Sequence, residues 1–397
     1  MRPRLIYVCI FLLTSVMGVR AATYKTLHNF STDGPDGNSP IAGLVFDQAG
    51  NLYGTAAYGG GDYMDGVVFN LSPSPYGWVF DVVYSFESSP WFADPSGREP
   101  MAGVVVDDAG VIYGTNSYSD DESACGTVFE LSPSGSFPLH TFTGPDGCVP
   151  QSNLRLSNGW LAGTTWGGGA SGQGTVFFID TLTETFYSYS FQKTTGSHPS
   201  GGVNTFFYGV TRSGGALGQG NIYRLGPQGL INTFSFSSTR QAGYGPMGDL
   251  LTAYVNGVRT MYGTNSAGGK GGAGTVYRLS ENQEKPEHWQ VKVLHSFSGA
   301  DGRNPMAGLA SDAKGNLYGT TWEGGEFNCG TVFKLSPGLN NWWKFSVVYS
   351  FDRYNPDTGG DGCHPSSSVV LDAAGNIYGT TEYGGWDDWG TVYEITP

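Results

Sequence analysis

Short apolar stretches punctuated by glycine follow one another along the chain, and three of them recur as signatures. The first is Tyr-Gly-Thr, at Tyr53-Gly54-Thr55, Tyr113-Gly114-Thr115, Tyr262-Gly263-Thr264, Tyr318-Gly319-Thr320 and Tyr378-Gly379-Thr380. Weaker copies stand at Ala162-Gly163-Thr164 and Tyr208-Gly209-Val210, so the spacing averages about 54 residues. The second, Gly-Thr-Val-Phe or a variant, begins at Gly66, Gly126, Gly174, Gly220, Gly274, Gly330 and Gly390. The third is an apolar run closing on aromatic-x-Phe, at Phe86, Phe142, Phe191, Phe236, Phe297 and Phe351.

Each unit therefore predicts four short β segments. In the sixth unit segment A lies near 306–312, B near 316–322, C near 330–336 and D near 344–351. Asp312-Ala313-Lys314-Gly315-Asn316 between A and B is turn chemistry suited to a tight hairpin. Only six D segments follow the first repeat. The seventh unit ends just after its C segment, and its missing strand matches Tyr24-Lys25-Thr26-Leu27-His28-Asn29-Phe30 at the other end of the chain. Seven four-segment units, with the last completed by the N-terminus, predict an all-β, seven-bladed propeller closed as a ring. An open solenoid would have no use for a final strand placed first. Closure also removes two open sheet edges.

Composition agrees. Of 397 residues 63 are glycine, aromatics make up 14% and charged residues only 14%, a profile of many tight turns and few surface helices. The net charge of −14 and the lack of any basic run exclude nucleic acid as a partner. They also disfavour acidic membranes and anionic polysaccharides.

Arg2 and Arg4 precede a mostly apolar stretch over 5–18, and Val19-Arg20-Ala21 offers a cleavage site after Ala21. Residues 1–21 read as a signal peptide and 22–397 as one domain, secreted or periplasmic and monomeric, with a net charge of −17 once three arginines leave. No later run is long enough to span a membrane. Cys9 leaves with the leader. Cys125 and Cys329 each precede a Gly-Thr-Val-Phe motif, and Cys148 and Cys363 each follow Asp-Gly. The same two slots are used twice and emerge on one propeller face, which predicts the disulfides Cys125–Cys148 and Cys329–Cys363. Metal binding is the weaker alternative, because the four-ligand spacing is missing.

The run Asp301-Gly302, Met306-Ala307-Gly308-Leu309, Gly315-Asn316-Leu317-Tyr318-Gly319-Thr320 and Gly330-Thr331-Val332-Phe333 is the clearest copy of the unit. It resembles the GloVer (Gloeo-Verruco) tandem repeat of exported bacterial proteins. The resemblance covers nearly the whole mature chain, with the fourth copy eroded. It implies export and brings no activity with it.

A ring needs only one site, so repeated residues read as structural. Asp47, Asp107, Asp312 and Asp372 are expected to cap turns. The glycines of Tyr-Gly-Thr should allow close backbone approach or a bulge. His28, His140 and His295 occupy the D-segment slot held by Tyr84, Tyr189 and Tyr349, and should pack. His198 and His364, each before a proline, are placed to line the mouth of the central channel. His288 falls in a loop. No nucleophile elbow, phosphate loop, dinucleotide fingerprint or zinc-protease motif is present. No EF-hand spacing is present either, and neither a cofactor nor a metal is implied.

Asymmetry among the B–C loops marks a sector. Blade 6 carries Trp322, Glu323 and Glu326; blade 7 carries Glu382, Tyr383, Trp386, Asp387 and Trp389; blade 1 carries Tyr58, Asp62 and Tyr63. Blade 2 adds Tyr118, Asp120, Asp121 and Glu122, whereas the loops of blades 3 to 5 hold no acid and offer only Trp166, Arg212 and Lys270. Aromatic faces beside carboxylates suit a neutral glycan, and paired carboxylates could also serve as acid and base on a glycosidic bond. Solvated loops that only maintain solubility are the bland alternative. The expectation is a non-catalytic binding module for neutral carbohydrate or a cell-surface partner, with a glycoside hydrolase and a structural envelope protein as alternatives.

Overall fold

The computed structural model describes residues 22–31, 34–61, 64–87, 94–119, 124–238, 241–282, 284, 288–355 and 360–397. Residues 1–21, read from the sequence as a signal peptide, lie outside them. Seven antiparallel sheets form the blades, six of them from strands consecutive in the chain. Blade 6 shows the plan: Ala310–Ser311, Leu317–Thr321, Thr331–Pro337 and Trp343–Ser350, termed A to D from the axis outward. In blade 3 the A strand is split into Cys148–Pro150 and Arg155–Ser157.

The seventh sheet closes the ring. Thr23–Asn29 lies antiparallel to Thr391–Thr396, from Thr23 opposite Thr396 to Asn29 opposite Thr391. Tyr24 stacks on Tyr349 of blade 6, ring centroids 4.8 Å apart, and its hydroxyl donates to the Asp361 carbonyl. Burial pushes the Tyr24 phenol far up, so it stays a donor.

Amphipathic strands stacked face to face must bury both faces, and the core divides accordingly into interfaces between blades. Val332 and Phe351 of blade 6 share one cluster with Val369, Ile377, Tyr393 and Ile395 of blade 7. Phe30, Tyr378 and Val392 of blade 7 meet Leu44, Leu52 and Phe69 of blade 1. The phenylalanines that end the aromatic-x-Phe runs, from Phe30 to Phe351, are at most 1% exposed, each burial stabilising by about 1.5–3 kcal/mol.

The repeated small and polar residues hold this packing in register. Gly319 faces Phe333 across the B–C pair, and a Cβ there would stand 2.6 Å from the ring. This is close approach without a bulge. Gly330 has a φ of 94° and leaves room for Pro365 of the next blade, whose Cδ would lie 2.7 Å from a Cβ. Asp312 caps its turn by accepting from the Lys314 and Asn316 amides, both at 2.9 Å. Asp47, Asp107 and Asp372 do the same.

The D-strand histidines pack as expected and do one thing more. His295 stacks on Phe345 of the next blade at 3.6 Å and bonds Asp301 at 2.8 Å. His28 and His140 repeat the arrangement with Phe80 and Asp36, and with Phe186 and Asp146. Tyr84 and Tyr349 use their hydroxyls on Asp94 and Asp361 in the same way.

Candidate functional site at the mouth of the central channel

The B–C loops and the D-to-A connections meet on one face. Isolated bridges join them in blades 1, 2, 6 and 7: Asn38 to Tyr58, Arg98 to Tyr118, Arg303 to Glu323 and Cys363 to Tyr383. Both expected disulfides are formed on this face, and they tie blade 2 to blade 3 and blade 6 to blade 7.

A ring of seven residues rims the channel here. Ser39, Glu99, Val149, His198, Gly245, Asn304 and His364 each precede a proline and each have a φ between 53° and 64°. A side chain rarely adopts this left-handed backbone. The cost is offset by a repeated bond: each N–H donates at 2.8–3.0 Å to the carbonyl just before the Gly-Thr-Val-Phe glycine of the preceding blade. His364 thus donates to Cys329, and Ser39 to Trp389 across the ring closure.

Inside this ring lies a cavity of ≈ 540 Å³ bordered by Arg212, Ser266, Asn304, Trp322, Glu382 and Ser366, with Ile41 and Met306 also lining it. Trp322 donates its indole N–H to Glu382 Oε2 at 3.3 Å. His364 stacks on Trp322 with centroids 4.3 Å apart, and Tyr383 meets His364 edge-on at 5.6 Å. Burial pushes the His364 imidazole below its usual range, against the pull of Glu382 and Glu323, so the ring is neutral at pH 7. Its Nδ1 is buried without a hydrogen-bond partner. Glu323 is held by Arg303 at 2.9 Å and by the Asn304 amide at 3.4 Å. The Glu382 charge, followed by burial, raises the Tyr383 phenol.

Three blades away, Trp166 meets His198 in a tilted contact with centroids 4.7 Å apart, and the Arg212 guanidinium lies 5.9 Å from the Trp166 ring centroid. The mouth thus carries two tryptophan–histidine shelves, one beside an arginine and the other beside a glutamate.

The structure brings Trp322, Glu323, Glu382 and Tyr383 together at this mouth. Tyr58 stands close by. Burial raises its phenol first, followed by the charges of Glu99 and Glu382. Glu326, Trp386 and Asp387 sit exposed on the loops, Trp386 at 73%. Trp389 instead packs against the core between blades 7 and 1. Asp62 and Tyr63 lie outside the described residues. Asn304, Ser266, Ser366 and Glu99 do not stand out in the sequence, and burial pushes the Glu99 carboxyl up. The pre-proline position is the signal that finds Asn304 and Glu99. Among the described residues no group of three or more His, Cys, Asp or Glu could hold a metal ion. Among them, too, no helix is long and apolar enough to cross a membrane.

The model of the Gloeobacter/Verrucomicrobia repeat matches residues 9–206, 80–250 and 201–397. The chain belongs to that family. No curated protein matches the sequence. Among solved structures, this member of the repeat family is similar to a candidate 6-phosphogluconolactonase from Bacteroides fragilis, with 15% identity over 86% of this chain and 88% of that one, at a TM-score of 0.51. A candidate oxidoreductase (glucose dehydrogenase) from Thermus thermophilus aligns over 95% of this chain and 100% of that one, with 12% identity and a TM-score of 0.48. At such identity the likeness to the first is one of fold alone.

Proposed function

We propose that this repeat protein is an exported, non-catalytic binding propeller that takes a neutral carbohydrate at the mouth of its channel. One observation carries the reading: Trp322 and Glu382 from adjacent blades meet at 3.3 Å on the rim of a ≈ 540 Å³ cavity. An indole there offers an apolar face to sugar C–H groups. Glu382, Asn304 and the serines offer acceptors and donors to hydroxyls, in keeping with pockets that combine an apolar lining and few polar groups. Glu323 and Glu382 are each already hydrogen-bonded by neighbours, an arrangement suited to fixed recognition. Two disulfides on the same face fit an oxidising compartment outside the cytoplasm.

A glycan array followed by calorimetry and a reducing-sugar assay tests this. Binding without turnover is expected, weakened at least about tenfold in Trp322→Ala and Glu382→Gln variants that keep their β circular dichroism. Sugar release that disappears in Glu382→Gln would favour a hydrolase instead. No glycan bound, or binding untouched by both changes, would overturn the reading in favour of a protein partner or a purely structural role.

A further inference from the structure

A cavity of ≈ 890 Å³ lies at the other end of the axis, among the A–B turns. Comparison of the blades shows what is particular to its lining. In blades 1, 2, 6 and 7 three residues occur together. An apolar residue on strand A (Val45, Val105, Ala310, Val370) stands opposite the tyrosine of Tyr-Gly-Thr. An aspartate two positions on caps the turn. The tyrosine hydroxyl reaches that aspartate in Tyr318 and Tyr378, both at 3.1 Å.

Blade 3 changes all three. Arg155 stands opposite Ala162, and Ser157 occupies the aspartate position. Elsewhere the tyrosine ring packs on the A strand of the next blade, as Tyr318 does with Val369 and Tyr378 with Leu44. Ala162 carries no ring, and its cross-strand partner Phe178 packs instead against the cluster that Ala162 shares with Val203 of blade 4. The cavity is lined mainly by the A–B turns of blades 2 and 3, with Gly202, Val203 and Asn204 of blade 4, and Arg155 borders it, partly buried and held by no carboxylate among the described residues. Burial alone pushes its pKa down, with no acid to offset it.

The acids that share the cavity are engaged elsewhere. Asp107 caps its own turn. Asp108 accepts from Gln48 at 2.7 Å. Asp249 accepts from the Gly202 amide at 2.5 Å and from Asn153 at 3.1 Å. A guanidinium drawn out of water with no acceptor is unfavourable until an anion meets it, and its planar fork matches carboxylate or phosphate oxygens.

We propose that this cavity is a second ligand site, for a small polyhydroxylated molecule with one carboxylate or phosphate head, bound by Arg155. The rim residues Ser157 and Asn158 supply a hydroxyl and an amide for its hydroxyls. The chain's negative charge works against polyanions, but one local cation suffices for a single anionic head. The site is independent of the channel mouth.

Calorimetry with D-glucuronate, D-glucose 6-phosphate and D-glucose tests it on the wild type, Arg155→Val and Trp322→Ala. At least one of the two anions should bind about tenfold or more tightly than glucose, with affinity falling as salt rises. Comparison of the two anions tells carboxylate from phosphate. Arg155→Val should abolish the preference and Trp322→Ala should leave it intact. Without ligand, Arg155→Val should melt no lower than wild type, because it restores the valine of the sister blades. The proposal is overturned if neither anion outbinds glucose, if the preference survives Arg155→Val, or if that variant's unliganded Tm drops by several degrees.

Discussion

Asn153 donates its side-chain amide to Asp249 at 3.1 Å, linking blades 3 and 5 past blade 4. The pair stands where blades 1, 2, 4 and 6 have glycine, and it also engages the backbone: Asn153 accepts from the Gly103 amide at 3.1 Å and Asp249 from Gly202. Asp249→Gly would restore the repeat consensus while leaving two donors without their acceptor. The expected result is a loss of about 1–3 kcal/mol, read as a lower denaturation midpoint with an unchanged m-value. A variant as stable as wild type would show that water replaces the carboxylate at no cost.

Acid should weaken the clamps between blades. Burial pushes His140 and His295 below their usual 6.5, so each is neutral at pH 7 and donates to an ionised aspartate. Burial acts against Asp146 and Asp301, but bonds from neighbouring backbone and from the histidines hold both carboxyls below 3.8. As pH falls from 6.5 toward the histidines' folded values, the unfolded chain takes up more protons and stability is lost. A second loss follows below 3.8 as the aspartates are protonated. Tm should therefore be lower at pH 5 than at pH 7.5. His295→Phe, which keeps the stack on Phe345, should flatten part of the upper phase. A Tm that rises on acidification to pH 5 would contradict the assignment.

Gly319→Ala should be disruptive although its backbone is ordinary. The new methyl would lie 2.6 Å from Phe333 and 2.8 Å from Leu309, with the ring locked in the core between blades. Overpacking of this kind costs about 1–3 kcal/mol. Thermal denaturation checks it, and a combined Gly319→Ala, Phe333→Leu chain should recover part of the loss.

Removal of residues 22–30 should uncover Thr391–Thr396 as an open edge and take Tyr24 from its place beside Tyr349 and Tyr393. The shortened chain is expected to aggregate or to unfold without a sharp transition. A synthetic peptide of residues 22–31 added in trans should restore a single cooperative melt. Cooperative melting of the shortened chain on its own would show that closure is dispensable.

Much of the architecture could be read from repetition, because each blade states the same packing problem. Seven copies of Gly-Thr-Val-Phe and the displaced Tyr24–Phe30 segment were enough to count the blades and close the circle. The disulfides followed from two slots used twice. The site was legible only in part. Trp322 and Glu382 stand out as asymmetric loop residues and do meet, but Trp389, which looks like their equal in the sequence, packs against the core. Which loop residues turn toward the core is not encoded in their spacing. Asn304 and Glu99 escaped because their importance lies in a left-handed backbone before proline, visible only when the seven positions are superposed. Arg155 escaped because it is informative only beside Ala162 and Ser157, three departures that lie in one blade.

Each of the seven posts on the rim of the channel has the same main-chain hydrogen bond and the same proline seated on glycine. That main-chain bond does not depend on the side chain, and serine, glutamate, valine, histidine, glycine and asparagine all occupy the same post within one molecule. Such a scaffold uncouples what it recognises from how it folds. Descendants of one ancestral ring can exchange these seven posts singly, acquiring new chemistry at the opening while every blade continues to assemble as before.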